Sequence, residues 1–195
     1  MSDNFQKQLD KLVNIFLQKN SQINLSAIRD PKEVKIKHIQ DSLELNKILK
    51  IPAWAKILDI WTWWGFPLLP LAITNPQAHF VGLDARNKKI KAIQDMVHQI
   101  GLKNVDLVRS RIEDHKGDYD IITARAVGYI DKLLKRTKHL LKKWTKLALY
   151  KQFSEEELAD MQKLLPKYGL HLTKSHHYRL FDGDIERVIY VVERK

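Results

Sequence analysis

Apolar positions along this chain follow two periods. Over residues 3–19, Phe5, Leu9, Leu12, Phe16 and Leu17 recur at helical spacing with Lys and Gln between them, which predicts an amphipathic helix capping a larger body. A second helix is announced by Asp30 as its cap, Pro31 at the first helical position and Glu33 in the first turn. It is predicted to run through Val34, Ile39, Leu43 and Leu49 until Pro52 ends it. Residues 1–52 therefore read as a helical extension packed on a core of residues 53–195, the whole forming a single compact domain.

From residue 56 the period changes to short apolar runs alternating with helical stretches. The runs are 56–60, 78–84, 104–110, 119–125 and 147–151, and helices are predicted near 67–74, 87–100, 129–142 and 154–164. Strands alternating with helices imply an α/β fold with a parallel sheet covered on both faces. The end of the chain differs. Residues 171–180 and 187–195 read as two successive strands with Asp182, Gly183 and Asp184 between them, so at least one closing strand is expected to be antiparallel. There is no internal repeat, low-complexity tract or interdomain linker.

In an open parallel sheet, ligands bind beyond the carboxyl ends of the strands. The first run ends at Asp59 and the segment Trp61-Thr62-Trp63-Trp64-Gly65-Phe66-Pro67; the second ends at Asp84, about 20 residues after that loop, where an acid accepts hydrogen bonds from a ribose diol. The third is followed by Ser110-Arg111-Ile112-Glu113-Asp114, the fourth by Arg125-Ala126 and the fifth by Lys151. With no Gly-Lys-Ser/Thr phosphate cradle, this arrangement suits an adenosine cofactor better than a triphosphate. Each residue also has a plainer reading. Asp84 serves equally as a cap for helix 87–100, Glu113 and Asp114 as a solvated turn, and Lys88, Lys89, Lys91 and the lysines of 132–146 as solvated helix faces. His38 and Asp41, one helical turn apart, are metal ligands or, more simply, a hydrogen-bonded pair.

Charge narrows the partner. Lys and Arg number 34 against 23 acids, a net charge of +11, which favours a polyanion such as nucleic acid. The absence of cysteine excludes disulfides, zinc–thiolate sites and cysteine nucleophiles. No apolar signal core opens the chain and no run approaches a membrane span, so a cytoplasmic monomer is expected.

Several segments together resemble the bacterial small-subunit ribosomal RNA guanine-N7 methyltransferases called RsmG or GidB. They are Asn24-Leu25-Ser26-Ala27-Ile28-Arg29-Asp30-Pro31, Lys37-His38-Ile39-Gln40-Asp41-Ser42, Leu58-Asp59-Ile60 with Gly65-Phe66-Pro67, Leu83-Asp84, Ser110-Arg111-Ile112-Glu113, Arg125-Ala126 and Lys151. The resemblance covers nearly the whole chain. It implies a Rossmann-like class I methyltransferase that uses S-adenosylmethionine and acts on 16S ribosomal RNA or the small subunit. By the same resemblance, Asp59, Trp61, Trp63, Gly65 and Phe66 line the cofactor, Asp84 faces its ribose, and Ile112 and Glu113 border the adenine. Arg125 lies near the methionine end and, with Lys151, positions the base or its phosphate, while Asn24, Arg29, His38, Lys88 and Lys89 face the RNA. No metal is implied.

The departures from the family concentrate in one residue type. Trp61 and Trp63 stand at family glycines, Trp64 at a small residue or proline, and Trp54 and Trp144 at glycines before the first and fifth strands. All five tryptophans of the chain thus fall where glycine is expected, as they would if UGA codons meant as glycine had been read as tryptophan. If the tryptophans stand, indoles lie in the path of the cofactor and a non-catalytic RNA-binding or ribosome-assembly factor on the same fold becomes the rival reading. A methyltransferase for small molecules or proteins is a third, opposed by the charge and by the Asn24–Asp30 and His38–Asp41 segments.

Overall fold

The computed structural model describes residues 3–125, 128–180 and 185–195. The expected Asp182–Asp184 turn and Ala126 lie outside the described residues. Helix α1 (Asp3–Ile23) is followed by α2 (Pro31–Val34), a π-helical turn (Lys35–Gln40), α3 (Asp41–Leu43) and α4 (Leu45–Ile48). Then come β1 (Lys56–Ile60), α5 (Leu68–Thr74), β2 (His79–Asp84), α6 (Asn87–Ile100), β3 (Val105–Arg109), β4 (Ile121–Arg125), α7 (Ile130–Thr137), β5 (Lys146–Gln152), α8 (Glu155–Leu164), β6 (Leu170–Leu180) and β7 (Ile185–Arg194).

The single second helix expected between Asp30 and Pro52 is instead a chain of short pieces. Its start is as the sequence predicts: the Asp30 side chain accepts the Lys32 amide, and Pro31 occupies the first turn. The break comes at residues 35–40, where the winding widens and the Asp41 amide bonds to the carbonyls of Ile36 and His38. The helix predicted to reach residue 142 ends at Thr137, and Lys138 to Thr145 turn back toward β5.

The seven strands form one sheet in the order β3-β2-β1-β4-β5-β7-β6. The first five are parallel, while β7 runs antiparallel to β5 and β6 antiparallel to β7, as the closing strands were expected to be. Alternate residues of each strand feed opposite cores. Ile57, Phe80 and Ile121 face α1, α5 and α6, whereas Leu58, Val81 and Ile122 face α7 and α8. The first core is shared with the N-terminal helices through Leu9, Leu12, Val13, Phe16, Val34 and Leu45. Register brings Asp59 level with Gly82 of β2 and Thr123 of β4, so the carboxyl ends of β1, β2 and β4 open on one side.

Candidate active site

The end of β1 is built on a buried acid. Asp59 is 1% exposed; its Oδ1 accepts the Thr123 hydroxyl at 2.6 Å, and its Oδ2 is buried without a partner among the described residues. Burial pushes this carboxyl up to about 6. The loop that follows turns through left-handed backbone, with φ of 52° at Trp61, 51° at Trp63 and 89° at Gly65. Gly65 has no room for a side chain: a Cβ there would meet Leu69 Cδ1 at 2.6 Å. Trp54, before β1, also has φ of 66°. Trp64 and Trp144 do not take left-handed backbone, so glycine's conformation is adopted at three of the five tryptophans rather than at all of them.

Asp84 closes β2. Its Oδ1 accepts the Arg86 amide at 2.9 Å and its Oδ2 lies 3.2 Å from Lys89 Nζ, whose ammonium also sits 4.8 Å from the Trp63 ring centroid and 5.6 Å from that of Trp64. Lys89 is therefore turned inward, while Lys88 stays exposed. The helix-capping position is Arg86, so Asp84 organises the turn before α6 without being its cap. Beyond β3, Ile112 is 2% exposed within the second core, and Glu113 pairs with Arg136 at 3.0 Å.

At the end of β4, Arg125 is held by the N-terminal extension. Its Nε lies 2.9 Å from Oδ2 of the fully buried Asp41, and its Nη2 donates to the Lys37 carbonyl at 2.5 Å. Arg187 and Tyr178, on β7 and β6, converge on the same carboxylate. His38 Nδ1 is 3.5 Å from Arg125 Nη2, and its ring stacks on Phe66 with centroids 4.7 Å apart. Burial, reinforced by the Arg125 cation, brings His38 down to about 4, so the ring is neutral at physiological pH. His38 and Asp41 thus both serve Arg125, and among the described residues there is no cluster of His, Cys, Asp or Glu able to hold a metal.

Two cavities flank Arg125. One of about 140 Å³ is lined by Ser26, His38, Trp63, Trp64, Phe66 and Arg125. The other, about 280 Å³, lies between Trp61 and Trp63 on one side and Gly128, Tyr129, Lys132 and Arg136 on the other. The acids at the ends of β1 and β2, the left-handed loop and the unpartnered Asp59 oxygen fit an adenosine cofactor. The side chains at 61 and 63 do not, because both indoles stand on the walls of that space and Lys89 already holds Asp84.

A family model, rRNA small subunit methyltransferase G, matches residues 5–181. The chain belongs to that family. Among curated relatives, the ribosomal RNA small subunit methyltransferase G of Leuconostoc citreum is 34% identical, covering 96% of this chain and 82% of its own length. That of Lactococcus lactis subsp. lactis is 35% identical over 100% and 85%, and that of Alteromonas mediterranea 37% over 83% and 76%. Solved structures share the fold. A SAM-dependent methyltransferase from Aquifex aeolicus superposes with a TM-score of 0.64 at 17% identity, covering 90% of this chain and 97% of that one. One from Thiobacillus denitrificans in complex with S-adenosyl-L-homocysteine gives 0.63 at 9% identity over 80% and 91%.

Within this methyltransferase G chain the remaining expected residues are dispersed. Lys151 is ion-paired with Glu157 at 2.5 Å and donates to the Gly128 carbonyl at 3.2 Å, in a cavity of about 570 Å³ whose walls also carry Asp131, Glu156 and Asp160. Its charge is balanced there, and it supports the segment after β4. Asn24 and Arg29 are exposed and bonded to each other at 3.2 Å, with Asn24 itself at φ of 50°. Sequence reasoning missed Ser26, Tyr178 and Arg187. Arg187 had one available signal, an isolated charge at the head of the apolar strand Val188–Val192.

Proposed function

We propose that this chain is an S-adenosylmethionine-dependent methyltransferase that modifies N7 of a guanine in 16S ribosomal RNA, as a cytoplasmic monomer acting on that RNA or on the small subunit. The observation that carries the reading is the left-handed loop after β1, set between Asp84 and the Asp41-held Arg125. The cofactor supplies an electrophilic methyl group, which the N7 lone pair takes as the carbon–sulfur bond breaks. Guanine N7 carries no proton, so no general base is required and catalysis rests on alignment and charge. Neutral His38, Phe66 and Arg125 form a wall against which a base can be set, and the net charge of +11 attracts the RNA backbone.

The working loop, on this reading, has glycine at 61 and 63. A bulky residue at left-handed φ costs about 1–2 kcal/mol, and the indoles fill space the cofactor needs. UGA codons read as tryptophan account for both. The deciding experiment is methyl transfer from labelled cofactor to undermethylated small subunits, with the modified base mapped, using the chain as given and a Trp61→Gly, Trp63→Gly, Trp64→Gly variant. Transfer to guanine N7 by the variant alone is expected. A UGG codon at 61 or 63 in the gene defeats the codon account, and transfer by neither protein favours the rival reading. That rival, a non-catalytic ribosomal RNA-binding or assembly factor, draws on the Lys89 ammonium that occupies Asp84 beneath Trp63.

A further inference from the structure

One carboxylate ties the N-terminal extension to three strands. Asp41 Oδ1 accepts the Tyr178 hydroxyl at 2.6 Å and Arg187 Nε at 3.2 Å, while Oδ2 accepts Arg125 Nε at 2.9 Å and Arg187 Nη2 at 3.3 Å. The π-helical turn contributes a second anchor. The Asp41 amide reaches the carbonyls of Ile36 and His38 and passes over that of Lys37, which accepts from Arg125 Nη2. Among the described residues, Nη1 is then the one guanidinium nitrogen of Arg125 with no partner. The side chain is 16% exposed and lines the 140 Å³ cavity beside His38 and Phe66.

An unrestrained arginine grips guanine with two nitrogens, one on O6 and one on N7. For a reaction at N7 that grip is self-defeating, since it covers the lone pair that must attack. We infer that Asp41 and the Lys37 carbonyl hold Arg125 so that Nη1 alone donates to O6 of the target guanine, leaving N7 uncovered. Asp41 is on this account a positioning residue and Arg125 the residue that selects guanine, because adenine presents an amino group where guanine presents O6. The inference rests on the proposed N7 reading and adds its base-recognition step.

The test follows the Arg125 Nε–H resonance by NMR during titration with guanosine monophosphate and with 2-aminopurine riboside monophosphate, which keeps N7 but lacks O6. Guanosine monophosphate is expected to move the resonance at about tenfold lower concentration. Asp41→Asn is expected to make the Nε–H mobile and to bring the two titrations together. Arg125→Lys, followed on neighbouring amides should Asp41→Asn fail to fold, should lose the preference as well. Tyr178→Phe, which removes a bond to Asp41 without touching Arg125, should retain it. Equal response of the parent chain to both nucleotides, no response to either, or an unchanged preference in Asp41→Asn or Arg125→Lys overturns the inference. Because the readout needs no methyl transfer, a preserved preference without transfer refutes the catalytic reading alone. Transfer to N7 without the preference refutes this inference alone.

Discussion

Trp54 and Trp144 separate backbone strain from side-chain packing. Both are exposed, at 82% and 60%, but only Trp54 has left-handed φ. Trp54→Gly relieves a strain of about 1–2 kcal/mol at the expense of about 0.5–1 kcal/mol of unfolded-chain entropy. It is expected to raise the melting temperature, whereas Trp144→Gly bears the entropy loss alone and should lower it. Equal shifts in urea midpoint for the two variants would remove the argument for glycine at position 54.

Two buried groups at the site pull stability in opposite directions with pH. Desolvation raises Asp59 from 3.8 to about 6, so the folded state holds that proton more tightly and loses stability as pH rises from 3.8 through 6. His38 is lowered from 6.5 to about 4, so the unfolded chain binds more protons and stability is lost as pH falls from 6.5 through 4. Each effect is about 3 kcal/mol, and they offset each other between about pH 4 and 6. Asp59→Asn is therefore expected to weaken on acidification relative to the parent chain. His38→Gln should weaken, on the same scale, as pH is raised from 4 to 6. Urea midpoints across that pH range check both signs.

At the scale of elements, α1 is more than a lid. Leu12 and Phe16 are fully buried in the core shared with α5 and α6, and Phe16 meets His38 and Phe66 edge-on at 5.5 and 5.2 Å. Phe16→Ala is expected to cost about 3–5 kcal/mol of unfolding free energy and to loosen the wall beside Arg125. A loss below about 1 kcal/mol by urea denaturation would mean that α1 is not part of the folding unit. The elements were legible to different degrees. Strand β1 and helix α6 fall where their apolar period and flanking signals put them, because period is a property of neighbours along the chain. The π-helical turn was not legible, since its apolar spacing is that of an ordinary helix. Its widened winding accompanies the bonds the segment makes to Arg125 and Asp41, residues that pair across the fold.

Over the whole molecule, the sequence by itself determined the alternation of strands and helices, the antiparallel close, the acids at the ends of β1 and β2 and the family. All of these are carried by local order and by motifs that survive as strings. The candidate site was half legible: Asp59, Asp84, Gly65, Phe66, His38 and Arg125 do gather at the carboxyl ends of the strands. Only the tertiary structure decided that Lys151 is neutralised by Glu157, that Lys89 turns in to Asp84, and that Asp41 unites Arg125, Tyr178 and Arg187 across as many as 146 residues. The sheet order that sets β4 two strands from β7, and not the spacing along the chain, brings those charges together. Burial then fixes their partners, because a charge removed from water must find its counter-charge within hydrogen-bond reach.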